Sequence, residues 1–549
     1  MSNENNNLQP KVAETTPAPI ATLPKPTPLL KVATTGRDMI FALLFLVAGI
    51  VWIDFSVYGG FDLGYTIASI ILGALVLIYP TAEHRLSLFG TLYATCAVAI
   101  TVPFCMYTSV SSKVLLFFWS VLLMGLAIVN NTKNASRGWM QLVEAMRLIL
   151  MTPFERCSNT LASLFQDKGS NSKKKAKGIL IGIACGLPAL FIIVPILVSS
   201  DAAFEAVMNN IFADGISRVI ASVIMGTFLA ILLFTTVFAA SKKIVKIDSV
   251  NQAEKTDETN KTKFRGVSST PVTTFLCTIS LVYVVYLFSQ LAYFFNAFAG
   301  FLPENYTTAQ YARRGFFEMT VICGINIGVI VGSLLISKKD KKGNQPLAVR
   351  LLCGFICLFS LVIVATVIGK LVMYMGLYGL TELRLYTSLF SVCAAIIIIF
   401  VGIRLLIPRF AYFRATAATL AVLSVGIAFA DVNTTIARYN TEAYLNGYLE
   451  QVDVDYLGTL GSASVPSLVE LMDSDDAQVA RKAATRLYYL AGEYGRIDSE
   501  SGAIYLYDFI PAQTDDFREY NIQFVTARDL IAENWDKILD LYTATNSSY

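Results

Sequence analysis

Residues 348–377 read AVRLLCGFICLFSLVIVATVIGKLVMYMGL, a run of 30 with two cations and no carboxylate. A helix needs about 20 mostly apolar residues, each rising 1.5 Å, to cross the hydrocarbon of a bilayer. The stretch therefore predicts a spanning helix with length to spare. Working outward from it, comparable runs fall near 38–56, 61–80, 86–107, 112–130, 176–199, 216–240, 271–297, 313–337, 382–407 and 414–431, about eleven in all. Composition agrees: 55% of residues are hydrophobic, 15% are charged, and the mean hydropathy is +0.58. A water-soluble chain of 549 residues would need a more charged surface.

The net charge of +3 conceals a separation by region. Cations crowd every second connection: the N-terminal tail, 131–175, 241–270, 338–347 and the turn around Arg404, Arg409 and Arg414. The alternate connections carry Asp54 and Asp62, then Asp201, Glu205 and Asp214, then Glu304. The positive-inside rule places the basic set in the cytoplasm. An odd number of spans then puts the N-terminus inside and the C-terminal segment outside, as expected of a multi-pass cell-membrane protein.

Residues 1–37 hold few large apolar side chains, so a disordered cytoplasmic tail is expected. No small-residue cleavage site follows the first apolar run, which reads as a retained anchor. Within the long basic loop, Trp139 to Leu164 has amphipathic spacing and reads either as an interfacial helix or as a helical hairpin under the bundle. From Asp431 onward the chain turns polar, with 20 Asp and Glu against 8 Lys and Arg. There Leu468, Leu471, Val479, Ala483, Leu487 and Leu490 repeat at helical spacing around SDDA, resembling a single HEAT-type helix pair at 465–490. A small helical extracytoplasmic domain over 432–549 is expected, and its acidity argues against nucleic acid as a partner.

Chemistry is more constrained by absences. The single histidine, His84, removes His-based triads and zinc motifs within this chain. All nine cysteines lie in or beside apolar runs, and Cys353 with Cys357 lacks further ligands for a metal. No metal or cofactor is expected. The functional signal lies in ionisable residues near membrane depth, each costing about 2.5–3.5 kcal/mol on insertion scales. Arg313, Arg314 and Glu318 open the eighth span; Lys370, Glu382 and Arg384 flank the ninth and tenth; Asp431 and Arg438 follow the last. Together they predict one outward-facing pocket with a cationic bias. The alternative is that the arginines snorkel to headgroups beside an ordinary aromatic belt. GLPALFIIVP at 186–195 suggests a broken helix of the transporter kind or a proline kink.

Four stretches, YARRGFFE at 311–318, LTELRLYTS at 380–388, DVNTTIARYN at 431–440 and VDVDYLGTLGSASVPSL at 452–468, come in an order that resembles a bacterial multi-pass membrane family, domain of unknown function 4173, related to the 4153 group. The resemblance implies a many-helix integral membrane protein of the bacterial envelope and supplies no reaction or catalytic residue. The chain is thus expected to be all-α, a polytopic transmembrane bundle with a small helical C-terminal domain. The leading functional expectation is non-enzymatic: binding of membrane lipids, a small ligand or an envelope protein partner, in a sensor or assembly role. Transport or lipid translocation is the alternative. An envelope enzyme on a lipid-linked substrate comes third, with Glu318 and Glu382 as the available carboxylate pair.

Overall fold

The computed structural model describes residues 34–81, 87–131, 138–164, 216–242, 267–299, 316–338, 345–497, 504–506 and 517–546, with isolated positions at 32 and between 193 and 201. In chain order the helices are α1 Gly36–Val57, α2 Leu63–Thr81, α3 Leu88–Ala99, α4 Val110–Asn130, α5 Met140–Leu150, α6 Thr152–Leu164, α7 Ile216–Ser241, α8 Ser269–Ala299 and α9 Phe316–Ile336. They continue with α10 Leu347–Tyr378, α11 Glu382–Leu406, α12 Tyr412–Phe429, α13 Val432–Leu445, α14 Val454–Gly458, α15 Val465–Leu471, α16 Ala477–Tyr494, α17 Ile522–Glu533 and α18 Trp535–Asn546. One antiparallel pair, β1 Gly495–Ile497 and β2 Ile504–Leu506, is the only sheet among the described residues.

Nine of these segments (α1–α4, α7, α8 and α10–α12, with α3 extended through a 3-10 turn to Cys105) are long and apolar enough to cross a membrane, and a shorter apolar stretch, Val321–Ile336, adds to them. The polytopic helical bundle expected from hydropathy is therefore the fold. The run at 176–199, including the break at 186–195, falls almost wholly outside the described residues, as do His84 and most of the N-terminal tail.

Among the described residues the bundle has two cores. Phe45, Tyr79, Tyr93, Leu123 and Phe238 centre the one formed by α1–α4 and α7, and Leu276, Cys353, Ile356, Ile363 and Ile398 centre the one formed by α8–α11. Helix α12 packs on α3 and on α11 and so joins them. Helices α1 and α7 approach backbone to backbone: a Cβ on Gly226 would lie 2.3 Å from the Cα of Ile50, and one on Gly49 would lie 2.7 Å from the carbonyl oxygen of Gly226. Lipid tails are as apolar as leucine, so helices in a bilayer associate through such close van der Waals contact.

At the end of the bundle where α1 begins, Asp38 is fully buried and accepts hydrogen bonds from Thr35 N at 2.8 Å, Thr35 Oγ1 at 3.0 Å and Tyr79 Oη at 2.8 Å, with Lys242 Nζ 3.4 Å away. A carboxylate at this depth persists because its lone pairs are engaged. The amphipathic stretch at 139–164 forms two helices, α5 and α6, broken at Met151. They tuck against α4 and α7, with Gln141 Nε2 donating to Asn130 Oδ1 at 3.2 Å. This is the hairpin of the two arrangements its spacing allows. Ser163 on α6 accepts from Val32 N at 3.2 Å, fixing the end of the N-terminal tail.

From Asp431 the chain turns sharply, with Asp431 at φ +41°, and α13–α18 close a separate core on Leu457, Leu468, Leu471, Leu487, Ile531 and Ile538. Leu380, Leu385 and Tyr386 of the bundle pack against that core, so the domain sits on the end of the bundle where α10 finishes and α11 starts.

The glycine contact gives a direct test. Alanine in a helix interior is ordinarily favoured over glycine by about 1 kcal/mol. At Gly226 the added methyl meets backbone, and the forced separation of α1 from α7 should cost about 1–3 kcal/mol. Gly324, where an added methyl would meet nothing within 4 Å, serves as the control. Thermal unfolding in detergent should show Gly226→Ala lowered and Gly324→Ala unchanged or raised; equal behaviour would refute the close-packing account.

Candidate functional site

The site is built where the C-terminal domain meets the bundle. The turn between α1 and α2 passes through Gly60 at φ +67° and Phe61 at φ +59° before reaching Asp62. A phenylalanine in the left-handed region is strained, and surrounding contacts must hold it there. Its ring lies 5.1 Å from Tyr65, 6.3 Å from Phe117 and 6.5 Å from Trp52. This conformation delivers Asp62, 4% exposed, beneath the C-terminal domain.

Two distant segments converge on that carboxylate. Lys113 Nζ, from the first turn of α4, donates to Asp62 Oδ1 at 2.6 Å, and Asn521 Nδ2 donates to the same oxygen at 2.7 Å. Asn521 also donates to the carbonyls of Phe104 at 3.2 Å and Tyr107 at 3.0 Å, while its own Oδ1 accepts from Gln523 N at 3.1 Å and Phe524 N at 3.3 Å. It is thus the N-cap of α17 and the bolt of the domain at once.

The neighbouring residues complete a latch. Arg518 pairs with Asp54, which also accepts from Arg218 Nε at 3.1 Å. Tyr520 O accepts from Leu63 N at 3.3 Å, and Gln523 N donates to Met106 O at 3.1 Å. Gln523 Oε1 accepts from Thr108 N at 2.9 Å and Thr108 Oγ1 at 2.7 Å, and its Nε2 donates to Asp431 Oδ2 at 2.6 Å. A second seam lies at the turn between α10 and α11: Asn440 Nδ2 donates to Leu380 O at 2.9 Å, its Oδ1 accepts from Leu380 N at 2.6 Å, and Glu382 N donates to Tyr456 Oη at 2.8 Å.

Between the two seams a cleft of about 1060 Å³ remains. Phe61, Phe104, Val114, Phe117, Phe118 and Phe524 supply apolar wall; Ser109, Ser111, Asn433, Ser462, Asp62, Lys113, Glu382 and Glu493 supply polar groups. Ser111 Oγ donates to Glu382 Oε1 at 3.3 Å. Among the described lining residues one lysine, already paired with Asp62, faces three carboxylates, Asp62, Glu382 and Glu493, which gives this part of the lining an acidic balance.

The sequence-derived candidates are distributed differently. Arg313 and Arg314 lie outside the described residues, and the side chain of Glu318 on α9 does too. Glu382 lines the cleft. Arg384 turns back to the C-terminal carbonyls of α10, donating to Tyr378 O at 2.9 Å and Gly379 O at 2.5 Å, with its guanidinium 4.2 Å from the Tyr374 ring centre. Such a cation completes the unsatisfied end of a helix. Asp431 is held by Gln523 and Thr434, and Arg438 Nε donates to Glu442 Oε1 at 2.5 Å on the surface. Lys370 is buried within α10, 7% exposed, apart from the cleft. Asp62, Lys113, Glu493, Asn521 and Gln523 were not singled out by the sequence. A lysine at 113 among otherwise cation-poor connections was the available signal. Among the described residues no group of three His, Cys, Asp or Glu side chains is placed to hold a metal.

Burial is the largest influence on Asp62 and holds its carboxyl above the ordinary carboxylate range, although Lys113 and Asn521 pull the other way. A raised carboxyl binds its proton more tightly folded than unfolded. Its contribution to stability is fully present below the unfolded value of about 4 and is lost as pH rises through the folded value.

The family model for Domain of unknown function (DUF4153) matches residues 94–471. The match covers more than half of the chain, which belongs to that family. No curated protein and no solved structure matches the chain. The matched region contains the α4, α11 and α13 walls of the cleft, whereas Asp62, Glu493 and the latch at 517–523 lie beyond it.

Removing the bolt should loosen the domain. Asn521→Ala deletes an N-cap, worth about 1 kcal/mol, and strips a donor from three buried acceptors, at about 1–3 kcal/mol for groups left unsatisfied. A total loss of roughly 3 kcal/mol in detergent unfolding is expected, with earlier proteolytic release of the C-terminal domain; an unchanged midpoint would contradict the assignment. For Asp62→Asn, the difference in midpoint between variant and wild type should move in the variant's favour as pH rises from about 4 through the raised folded value. A difference that is flat with pH, or of opposite slope, would show that Asp62 is not so perturbed.

Proposed function

We propose that this integral membrane protein binds the amine-bearing polar head of a membrane lipid in the cleft between the bundle and the C-terminal domain. The observation that carries the reading is the combination of charge and position. Glu382 and Glu493 face a cleft whose one described lysine is engaged by Asp62, while Val110, Val114 and Phe118 on its rim are exposed apolar side chains at the start of a spanning helix. An ammonium donating to carboxylates in a partly desolvated site makes charge-assisted hydrogen bonds, stronger than those between neutral groups. An anionic head would meet repulsion there.

On this reading the C-terminal domain and the cleft are extracytoplasmic. Support comes from Lys242, Arg350, Arg404 and Arg414, which fall at helix ends on the side away from that domain, in agreement with the positive-inside rule. A bacterial envelope setting, with the narrower likeness to the 4173 group carried by the motifs at 311–318, 380–388, 431–440 and 452–468, belongs to the same proposal. The role is that of a sensor or assembly component, with the acidic domain as the surface offered to an envelope partner. Translocation is the second reading, and Lys370, a buried cation several turns inside α10, is what favours it.

Native mass spectrometry of the full chain released from nanodiscs containing equal phosphatidylethanolamine and phosphatidylglycerol would test the binding. The wild type should retain phosphatidylethanolamine preferentially. Glu382→Gln with Glu493→Gln should reduce that preference about tenfold or more, since hydrogen bonds to charged groups contribute about 1.5–3 kcal/mol each. Equal retention of both lipids by the wild type would overturn the proposal.

A further inference from the structure

Beneath the acidic cleft, within the bundle, lies a groove of about 370 Å³ walled by α1–α4 and α7 and closed at its far end by the elbow of α5 and α6, where Ile149, Leu150, Pro153 and Phe154 face it. Its polar groups are turned inward on the protein. Trp52 Nε1 donates to Ser69 Oγ at 3.2 Å, Thr101 Oγ1 to Val98 O at 2.7 Å, Ser120 Oγ to Phe117 O at 2.8 Å and Thr236 Oγ1 to Leu232 O at 2.8 Å. The walls therefore present hydrocarbon, and a polar molecule entering would lose its hydration without compensation.

Phe117 belongs to both spaces. Its ring lies between them, 6.4 Å from Trp52, 6.4 Å from Tyr65 and 6.3 Å from Phe61, and among the described residues it is the one side chain common to the polar cleft and the apolar groove. An acidic chamber at the rim of the spans and a dry groove in their interior, joined at one aromatic wall, match the two ends of an amphipathic molecule. We infer that the groove holds an acyl chain of the same membrane lipid whose amine-bearing head occupies the cleft, with Phe117 as the shared wall past which the chain descends. This rests on the headgroup reading given above and adds the second half of the ligand.

The groove can be filled without touching the cleft. Val121 lines the groove alone, and Leu122, the next residue of α4, lines neither space. In nanodiscs of equal phosphatidylethanolamine and phosphatidylglycerol, Val121→Trp should reduce the retained lipid at least tenfold in native mass spectrometry, while Leu122→Trp should leave it unchanged. Val121→Phe, which adds less volume, should give an intermediate loss and serves if the tryptophan variant does not fold. Undiminished lipid on folded Val121→Trp or Val121→Phe would overturn the chain site while leaving the headgroup reading intact. Loss on Val121→Trp from a wild type that holds both lipids equally would keep the groove and overturn the headgroup reading.

Discussion

The position of everything at the functional end of the molecule depends on one buried carboxylate. Asp62 is met by Lys113 from 51 residues away and by Asn521 from 459 residues away. Neither partner is close in sequence, so the contact exists only once the first helices and the C-terminal domain are both in place. A desolvated carboxylate stripped of one partner is strongly unfavourable, because a charge is then left buried without compensation. The arrangement accordingly commits the domain to one seating, and the cleft is the space that seating leaves between its two seams. The same residue that bolts the domain also caps α17, so local helix formation and long-range docking are not separable.

The remainder of the bundle obeys the chemistry of its solvent. Helices approach closely where glycines allow it, as between α1 and α7, and polar groups in the described interior are largely turned on other protein groups. Asp38 with its donors, and the triad in which Tyr283 Oη donates to Asn326 Oδ1 at 2.5 Å and Asn326 Nδ2 to Ser360 Oγ at 2.8 Å, are local solutions to the same problem. Against that background the acidic cleft is distinctive. Glu382 and Glu493 stand at the end of the spans, where on the proposed reading a headgroup would complete their partners.

Hydropathy made the spans legible, since a bilayer demands a fixed length of apolar helix and the sequence must supply it run by run. Charge alternation carries the expectation of a cytoplasmic N-terminus, through the positive-inside rule. Side-chain destinations were not legible. Arg384 was expected to line an outward-facing pocket with a cationic bias, and the turn at Gly379, at φ +70°, brings the α10 carbonyls within its reach. Arg438 had Glu442 one helical turn along, and the exposed pair satisfies itself. The latch at 517–523 shows no periodicity, because its side chains serve distant partners rather than a helix face. Asp62 and Lys113 were visible as charges; that they share a bond is a property of the tertiary fold.

The account's central claim is that the cleft, acidic at its mouth and aromatic at its base, is a lipid site. The most direct measurement is the density map of the full chain in nanodiscs rich in phosphatidylethanolamine, determined by electron cryomicroscopy. The account predicts headgroup density between Glu382 and Glu493, with chain density continuing past Phe117 toward the α5–α6 elbow. A cleft holding only solvent while the latch stays closed over Asp62 would contradict it.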